Sequence, residues 1–544
     1  MLVMVFSFFA EIIFFDEFQT RFNFIAIDYL IYTQEVVANI IESYPIFWLI
    51  VGILIISSII FALSYRFIFN NTQKYKTSLF AIIIILVTDF FFINNQKINK
   101  IISNKYQQEL AFNGIYQLFS AFFNNQIDFE RFYLNIDNHQ AQQLVRMHIA
   151  QQEPNSVFLD NNSIARLIQS SQPARPYNIM FVAIESLSAD FMQYFGNTSD
   201  ITPNLDNLAK KGLFFTNLKA TGTRTVRGLE ALTLSIPPTP GNSIVRRPHN
   251  ENLFNIASPL IDLQYDAKFL YGGNGFFDNM SYFFANNGFT VIDRRKFTKD
   301  EISFANAWGV ADEDLFNKAI KEADYSYQNN KKFFNFILTT SNHRPFTYPD
   351  GKIDIPSKTN RNGAVKYSDY AIGKFISDAQ KKPWFADTIF VFIADHCAGS
   401  AGNSDVPIWR YQIPAIFYAP QIIQPQIFAK NISQIDIAPT LLGILNLQYK
   451  SKFFGSDVLK NNISERAFVS TYSDLGYYKN NELYVLKLRK QHQALTVNIK
   501  NFGYQGSSET PSTTPNKDIL EQSIAYYQTA SILFKNGQLQ NFAK

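Results

Sequence analysis

Asp395 and His396 close an apolar run in the segment FIADHCAGSAGN, and the only cysteine of the chain, Cys397, follows them directly. A carboxylate next to an imidazole at the end of a buried strand supplies two ligands of the kind that hold a divalent cation. Glu185 follows another apolar run, NIMFVAI, and adds a second oxygen donor. Two oxygens and one nitrogen suit Mn2+, Mg2+ or Zn2+. A closed structural zinc site is excluded, because one cysteine cannot form a thiolate cluster, and Cys397 reads as a small packed side chain. Further strand ends carry Asn274 and Asp278 after KFLY, and His343 after FFNFILTT. Polar groups gathered at one edge of an α/β sheet are how such folds hold a cation or an anion.

A nucleophile is offered by TGTRTVRGLEALTLSI, where Thr225 lies between Arg224 and Arg227 at the start of a helix expected from Val226 to Ser235. A helix N-terminus flanked by two guanidinium groups is a cradle for phosphate. A threonine hydroxyl on a metal there loses its proton readily and attacks phosphorus or sulfur. Thr221 and Thr223 are rivals for the same role.

These residues need a scaffold. The runs NIMFVAI (178–184), KFLY (268–271), FFNFILTT (333–340), TIFVFIA (388–394), AIFYA (415–419) and AFVSTY (467–472) are continuously apolar rather than alternating. Such strands are covered on both faces, so the expected class is α/β, a mostly parallel sheet with helices on both faces. Between the runs, TPNLDNLAKKG predicts a helix with Thr202 as cap, Pro203 at its first position and Gly212 as terminator.

An all-α transmembrane region precedes this domain in the expected layout. Residues 46–65 contain no charge over twenty positions, the length that crosses a bilayer. Residues 78–93 and 1–15 are shorter apolar runs carrying Asp89 and Glu11, and are expected to be further spans. A signal peptide is the competing reading of 1–15, but it has no basic start and no small-residue cleavage site; the abrupt apolar opening fits further spans before Met1. Arg66, Lys74 and Lys76 in the loop between the two better spans keep that loop in the cytoplasm, which puts everything after about residue 94 outside. The expected organisation is about three membrane helices over 1–94, a helical connector over 95–175, a catalytic domain over 176–500, and a polar linker with an amphipathic helix over 501–544. Lys and Arg number 49 against 45 Asp and Glu, a balance too even for nucleic acid as a partner. One cysteine rules out an internal disulfide and leaves the compartment open.

The motifs NIMFVAIESLSADF, TPNLDNLAKKG, GTRTVRGLEAL, TSNHRPF, FIADH and DIAPTLLGIL occur here in the order found in the sulfatase-like branch of the alkaline-phosphatase superfamily. The chain most resembles its lipoteichoic acid synthase and phosphoglycerol transferase group, over roughly 175–475. The resemblance implies Thr225 as nucleophile and one metal ion, Mn2+ ahead of Mg2+, held by Glu185, Thr225, Asp395 and His396. It implies that His343 contacts a phosphoglycerol group; Arg224, Arg227, Asn274 and Asp278 are expected to line the substrate site from their own positions, at the helix start and the strand end. Where the lipoteichoic acid enzymes carry a Trp and an Arg, YGGNGFFDNM has Asp278 and Met280, a departure in the head-group pocket. The implied reaction moves phosphoglycerol from phosphatidylglycerol, through a threonine ester, to a glycan or phosphoglycerol acceptor outside the cytoplasmic membrane. Rival readings are a sulfatase or phosphodiesterase hydrolase, a phosphoethanolamine transferase, and a non-catalytic membrane regulator. The sulfatase reading lacks its C/S-x-P-S-R sequence, and the phosphoethanolamine enzymes typically carry several disulfides.

Overall fold

The computed structural model describes residues 2–18, 20–23, 26–27, 33–69, 102, 104–123, 127–399, 404–460, 463–498 and 508–543. The chain forms two compact units, residues 1–125 with 401–405, and residues 126–400 with 406–544.

The first unit is helical: α1 (Leu2–Phe18), α2 (Thr33–Ser43), α3 (Ile46–Phe69), α4 (Lys105–Ala111) and α5 (Gly114–Phe123). Within α3, Ile46–Tyr65 is the one helix among the described residues long and apolar enough to cross a membrane. Its large apolar side chains Phe47, Trp48, Phe61 and Leu63 are exposed. The expected span at 78–93, with Lys74 and Lys76 before it, lies outside the described residues.

The second unit is built on a nine-stranded sheet. Its strands are β1 (Asn178–Ile184), β2 (Leu213–Lys219), β3 (Asp266–Tyr271), β4 (Thr290–Ile292), β5 (Phe333–Leu338), β6 (Thr388–Ala394), β7 (Gln412–Tyr418), β8 (Gln426–Phe428) and β9 (Ile432–Ser433). The order is β8-β2-β7-β6-β1-β5-β3-β4, with β9 also paired to β2. All pairs are parallel except those made by β7, which runs against both β2 and β6. Strands β1, β5 and β6 are buried at every residue, which is why their sequences show no polar alternation. Helix α6 (Asn138–Gln152) packs on the C-terminal helix, α7 (Pro203–Lys211) and α9 (Asp312–Gln328) each pack on α10 (Arg361–Ala379), and α8 (Thr225–Leu234) packs against α11 (Ile437–Ile444). The expected α/β class, a mostly parallel sheet between helices, is the class observed.

Three local expectations change. The run 467–472 joins a separate antiparallel sheet, β10 (Arg466–Ser470), β11 (Leu475–Lys479), β12 (Glu482–Lys487), β13 (Gln491–Asn498) and β14 (Ser508–Pro511). Part of the stretch expected as a polar linker is thus the edge strand β14, where Pro511 is tolerated because an edge needs fewer ladder donors. Strand β2 carried no clear sequence signal because Thr216, Asn217 and Lys219 interrupt its apolar run; Lys219 is buried and satisfied by Asn217 and Gln412. The C-terminal helix α12 (Lys517–Lys535), expected at 518–535, packs on the second sheet through Tyr526 and Tyr527.

Candidate functional site

Strands β6, β1 and β5 are neighbours at the centre of the sheet and point the same way, so their carboxyl ends share one edge. The register pairs Ile184 with Ala394, which sets Glu185 and Asp395 side by side as the next residue of each strand. Thr225 enters from the loop after β2 as the first residue of α8, with Arg224 in the cap position. That helix can reach the edge because residue 228 is glycine: a Cβ there would lie 2.2 Å from the Asp395 carbonyl oxygen.

Glu185 is the hub. Its Oε2 accepts a hydrogen bond from the Thr225 hydroxyl at 3.1 Å. Its Oε1 accepts from the Ser186 hydroxyl at 2.6 Å and lies 3.3 Å from His343 Nε2 and 3.5 Å from His396 Nε2. Asp395 is fully buried; its Oδ1 accepts from the backbone N–H groups of Ser186 and His396 at 2.8 and 2.7 Å, while Oδ2, 3.7 Å from the His396 Nε2, accepts no hydrogen bond among the described residues. The His396 Nδ1 bonds the Cys397 carbonyl at 2.7 Å, which assigns its proton there and leaves Nε2 facing the carboxylates.

Burial opposes the charge on Glu185, yet His343 and His396 hold it well below the usual carboxylate range. Burial, and then the charge of Glu185, push Asp395 up to about 7. Burial works to lower His396, but the Asp395 and Glu185 carboxylates overcome it and raise it to about 9. Two buried acids and one imidazole thus compete for protons in a space where a divalent cation would satisfy all three. The donor atoms of Glu185, Asp395 and His396 lie within 4.8 Å of one another. Together with the orphaned Asp395 oxygen, this is a good fit to a divalent ion.

The other expected site residues divide. His343 is in the cluster. Arg224 sits beside Thr225 with a buried Nη1 that makes no hydrogen bond among the described residues, which suits an anionic ligand. Arg227 does not face the cluster: its guanidinium bonds Glu230 at 3.0 Å and the carbonyls of Thr239 and Gly241, so it ties α8 to the following loop instead of cradling phosphate. At i and i+3 on one helix, Arg227 and Glu230 find each other before any ligand can. Asp278 is buried in an ion pair with Arg246 at 3.6 Å, and Asn274 caps its own turn by accepting from the Phe276 N–H. Thr221 donates to the Arg227 carbonyl and Gln434, which removes it as a rival to Thr225. Cys397 is buried and its Sγ bonds the Gln412 carbonyl; burial raises the thiol, which makes it a bystander.

Four supporting residues escaped the sequence reading. Ser186, in the left-handed conformation at φ 51°, turns its N–H and hydroxyl onto the two carboxylates. Asn342 donates to the Glu185 and Ser186 carbonyls, and Gln434 to those of Ala394 and Asp395. Trp308 stacks on His343 with ring centroids 4.1 Å apart. Ser186 and Asn342 fall within the motifs NIMFVAIESLSADF and TSNHRPF, whereas no sequence signal singled out Gln434 or Trp308.

Fold and site together define a class: an α/β protein whose central parallel strands deliver two acids and an imidazole, in metal-binding proximity, to the foot of a helix bearing a hydroxyl. The Sulfatase family model matches residues 177–447. A solved protein of the alkaline phosphatase superfamily from Vibrio parahaemolyticus is 33% identical, with a TM-score of 0.70 over 76% of this chain and 100% of that one. The chain belongs to the alkaline-phosphatase superfamily, in its sulfatase-like branch. The lipoteichoic acid synthase LtaP of Listeria monocytogenes shares the fold at 21% identity, with a TM-score of 0.56 over 68% of this chain and 94% of that one. A Phosphoglycerol transferase I of Salmonella arizonae is 30% identical over 250 residues, 42% of this chain and 32% of that protein. Another from Citrobacter koseri is 28% identical over 303 residues, 50% and 38% of the two chains. The chain therefore spans about a third of the length of these relatives.

Proposed function

We propose that this protein is a membrane-anchored, metal-dependent transferase that moves a phosphoglycerol group from phosphatidylglycerol to an acceptor hydroxyl outside the cytoplasm. Residues 176–500 carry the chemistry in this reading, with 1–94 as the anchor, 95–175 as the connector and 501–544 as the tail. The observation that carries it is the Thr225 hydroxyl at 3.1 Å from Glu185, beside a buried Asp395 oxygen that accepts no hydrogen bond among the described residues. The phosphoglycerol transferase relatives support the group transferred, and the apolar helix at Ile46–Tyr65 supports access to a lipid donor.

A divalent ion held by Glu185, Thr225, Asp395 and His396, Mn2+ in our reading, would supply charge stabilisation at phosphorus and a lowered hydroxyl pKa. The protein's own groups do the rest. Glu185 orients the Thr225 oxygen, which attacks phosphorus as the bond to the glyceride oxygen breaks. Diacylglycerol leaves with one proton, matching the one Thr225 gives up. The phosphoglycerol stays on Thr225 as an ester until an acceptor hydroxyl of a glycan, or of a phosphoglycerol unit, displaces it and restores the alcohol. Arg224 pairs with a non-bridging oxygen, and His343 holds the head group.

The test is to incubate the full chain in detergent with phosphatidylglycerol and Mn2+ and to look for a phosphoglycerol ester on Thr225 by mass spectrometry. The expected result is an adduct on the wild type, and neither adduct nor diacylglycerol from Thr225→Ala. Equal diacylglycerol release by both proteins refutes the reading.

A further inference from the structure

Trp308 lies in the sequence NAWGV, ahead of α9 and far in the chain from every ligand of the cluster. It is almost wholly buried, whereas His343, on which it stacks at 4.1 Å and 13°, is 28% exposed at its side chain. The indole is fixed from several sides. Its Nε1 donates to the Arg344 carbonyl at 2.7 Å, one residue beyond His343, and Phe277 meets its ring edge-on at 5.5 Å. Its backbone N–H bonds Asn306 Oδ1, and the Asn306 amide in turn bonds Thr347. On the other side the Val310 N–H bonds the Gly272 carbonyl, and the Trp308 carbonyl lies so near Gly273 that a Cβ there would come within 2.3 Å of it. The tryptophan is thereby bolted between the loop after β3 and the loop after β5.

Among the described residues the His343 ring has two contacts: its Nε2 reaches Glu185 at 3.3 Å and one ring face rests on the indole. We infer that Trp308 is a positioning residue, which sets the plane of the His343 ring and so keeps Nε2 directed at Glu185 and at the substrate group bound there. The inference rests on the reading of this site as a phosphoglycerol-transfer centre only for its kinetic consequence; the stacking and the aim of the ring stand apart from it. An aromatic pair carries modest energy, but a reacting group displaced by about 1 Å loses rate on the order of 100-fold.

The test uses the Mn2+-loaded full chain in detergent micelles. Trp308→Leu removes the aromatic face; Trp308→Phe keeps a ring but loses the Nε1 bond. In the leucine variant kcat should fall by about 10- to 100-fold with KM changed little, and phenylalanine should restore most of it. In a His343→Ala background the leucine change should have almost no further effect on kcat, because the group it positions is gone. Losses that multiply in the double variant, or a fall in the unfolding temperature that accounts for the lost activity, overturn the inference. A second readout needs no turnover. With diamagnetic Mg2+ in place of Mn2+, the ring resonances of His343, assigned by their absence in His343→Ala among six histidines, should shift when the indole is removed. An unmoved resonance overturns the positioning role whatever the reaction. A shifted resonance with no Thr225-dependent release of diacylglycerol by the wild type refutes the transferase reading and leaves the positioning of His343 intact.

Discussion

Gly228→Ala is the sharpest probe of how α8 is seated. On an exposed helix the change would stabilise by about 0.5–1 kcal/mol, because glycine is the poorer helix former. Here the added methyl would lie 2.2 Å from the Asp395 carbonyl oxygen, 2.7 Å from its carbon and 2.9 Å from its Cα, all backbone atoms that cannot swing aside. Ordinary carbon–oxygen contacts begin at about 3.3 Å, so α8 must retreat by about 1 Å. Thr225 is three residues away on the same helix, and a shift of that size stretches its 3.1 Å bond to Glu185 beyond hydrogen-bonding range. Overpacking costs about 1–3 kcal/mol, which outweighs the gain in helix propensity, and the misplaced hydroxyl lowers the rate of Thr225 modification about 100-fold. The assay is the time course of ester formation on Thr225, with thermal unfolding measured in parallel. A variant as active and as stable as the wild type, or more stable, refutes the claim that residue 228 sets the approach of the helix.

Three further outcomes follow from the site and its surroundings. Arg227→Ala leaves Glu230 buried without its cation and should destabilise the protein by about 3 kcal/mol, read as a lowered denaturation midpoint; a variant of unchanged stability but weakened substrate binding would return Arg227 to the phosphate cradle. Asp395→Asn removes the orphaned oxygen and should weaken Mn2+ binding by more than about 10-fold in calorimetry, matching the activity lost on chelation; a dissociation constant within twofold of the wild type would remove Asp395 from the ligand set. Asp369 accepts from the N–H groups of Asn204 and Leu205 at the start of α7, and burial raises it to about 6. Because its folded value lies above the ordinary one, its contribution is fully present below about pH 4 and is lost as pH rises through about 6. The stability difference between wild type and Asp369→Ala should shift in the variant's favour across that window, and a difference that is constant with pH refutes the assignment.

The amino-acid sequence by itself determined the α/β class and which residues stand at the carboxyl ends of the central strands. A parallel strand buried on both faces must be apolar without interruption, so NIMFVAI and TIFVFIA match β1 and β6 residue for residue, and the polar residue after each marks the sheet edge. Glu185, Asp395, His396 and His343 were legible for that reason, and the start of α8 was expected within one residue. Tertiary structure alone decided the rest. Three threonines, Thr221, Thr223 and Thr225, are chemically alike along the chain; the loop path gives the Glu185 bond to Thr225 and turns Thr221 toward Gln434. Two arginines on either side of Thr225 look equivalent, yet Arg227 falls on the face where Glu230 lies one turn on, and Arg224 does not. Trp308 and Gly228 act through contacts with segments 35 and 167 positions away, at His343 and Asp395. Periodicity and local capping report only on neighbours within a turn or a strand, whereas these choices are made by strand register and by how closely two backbones approach.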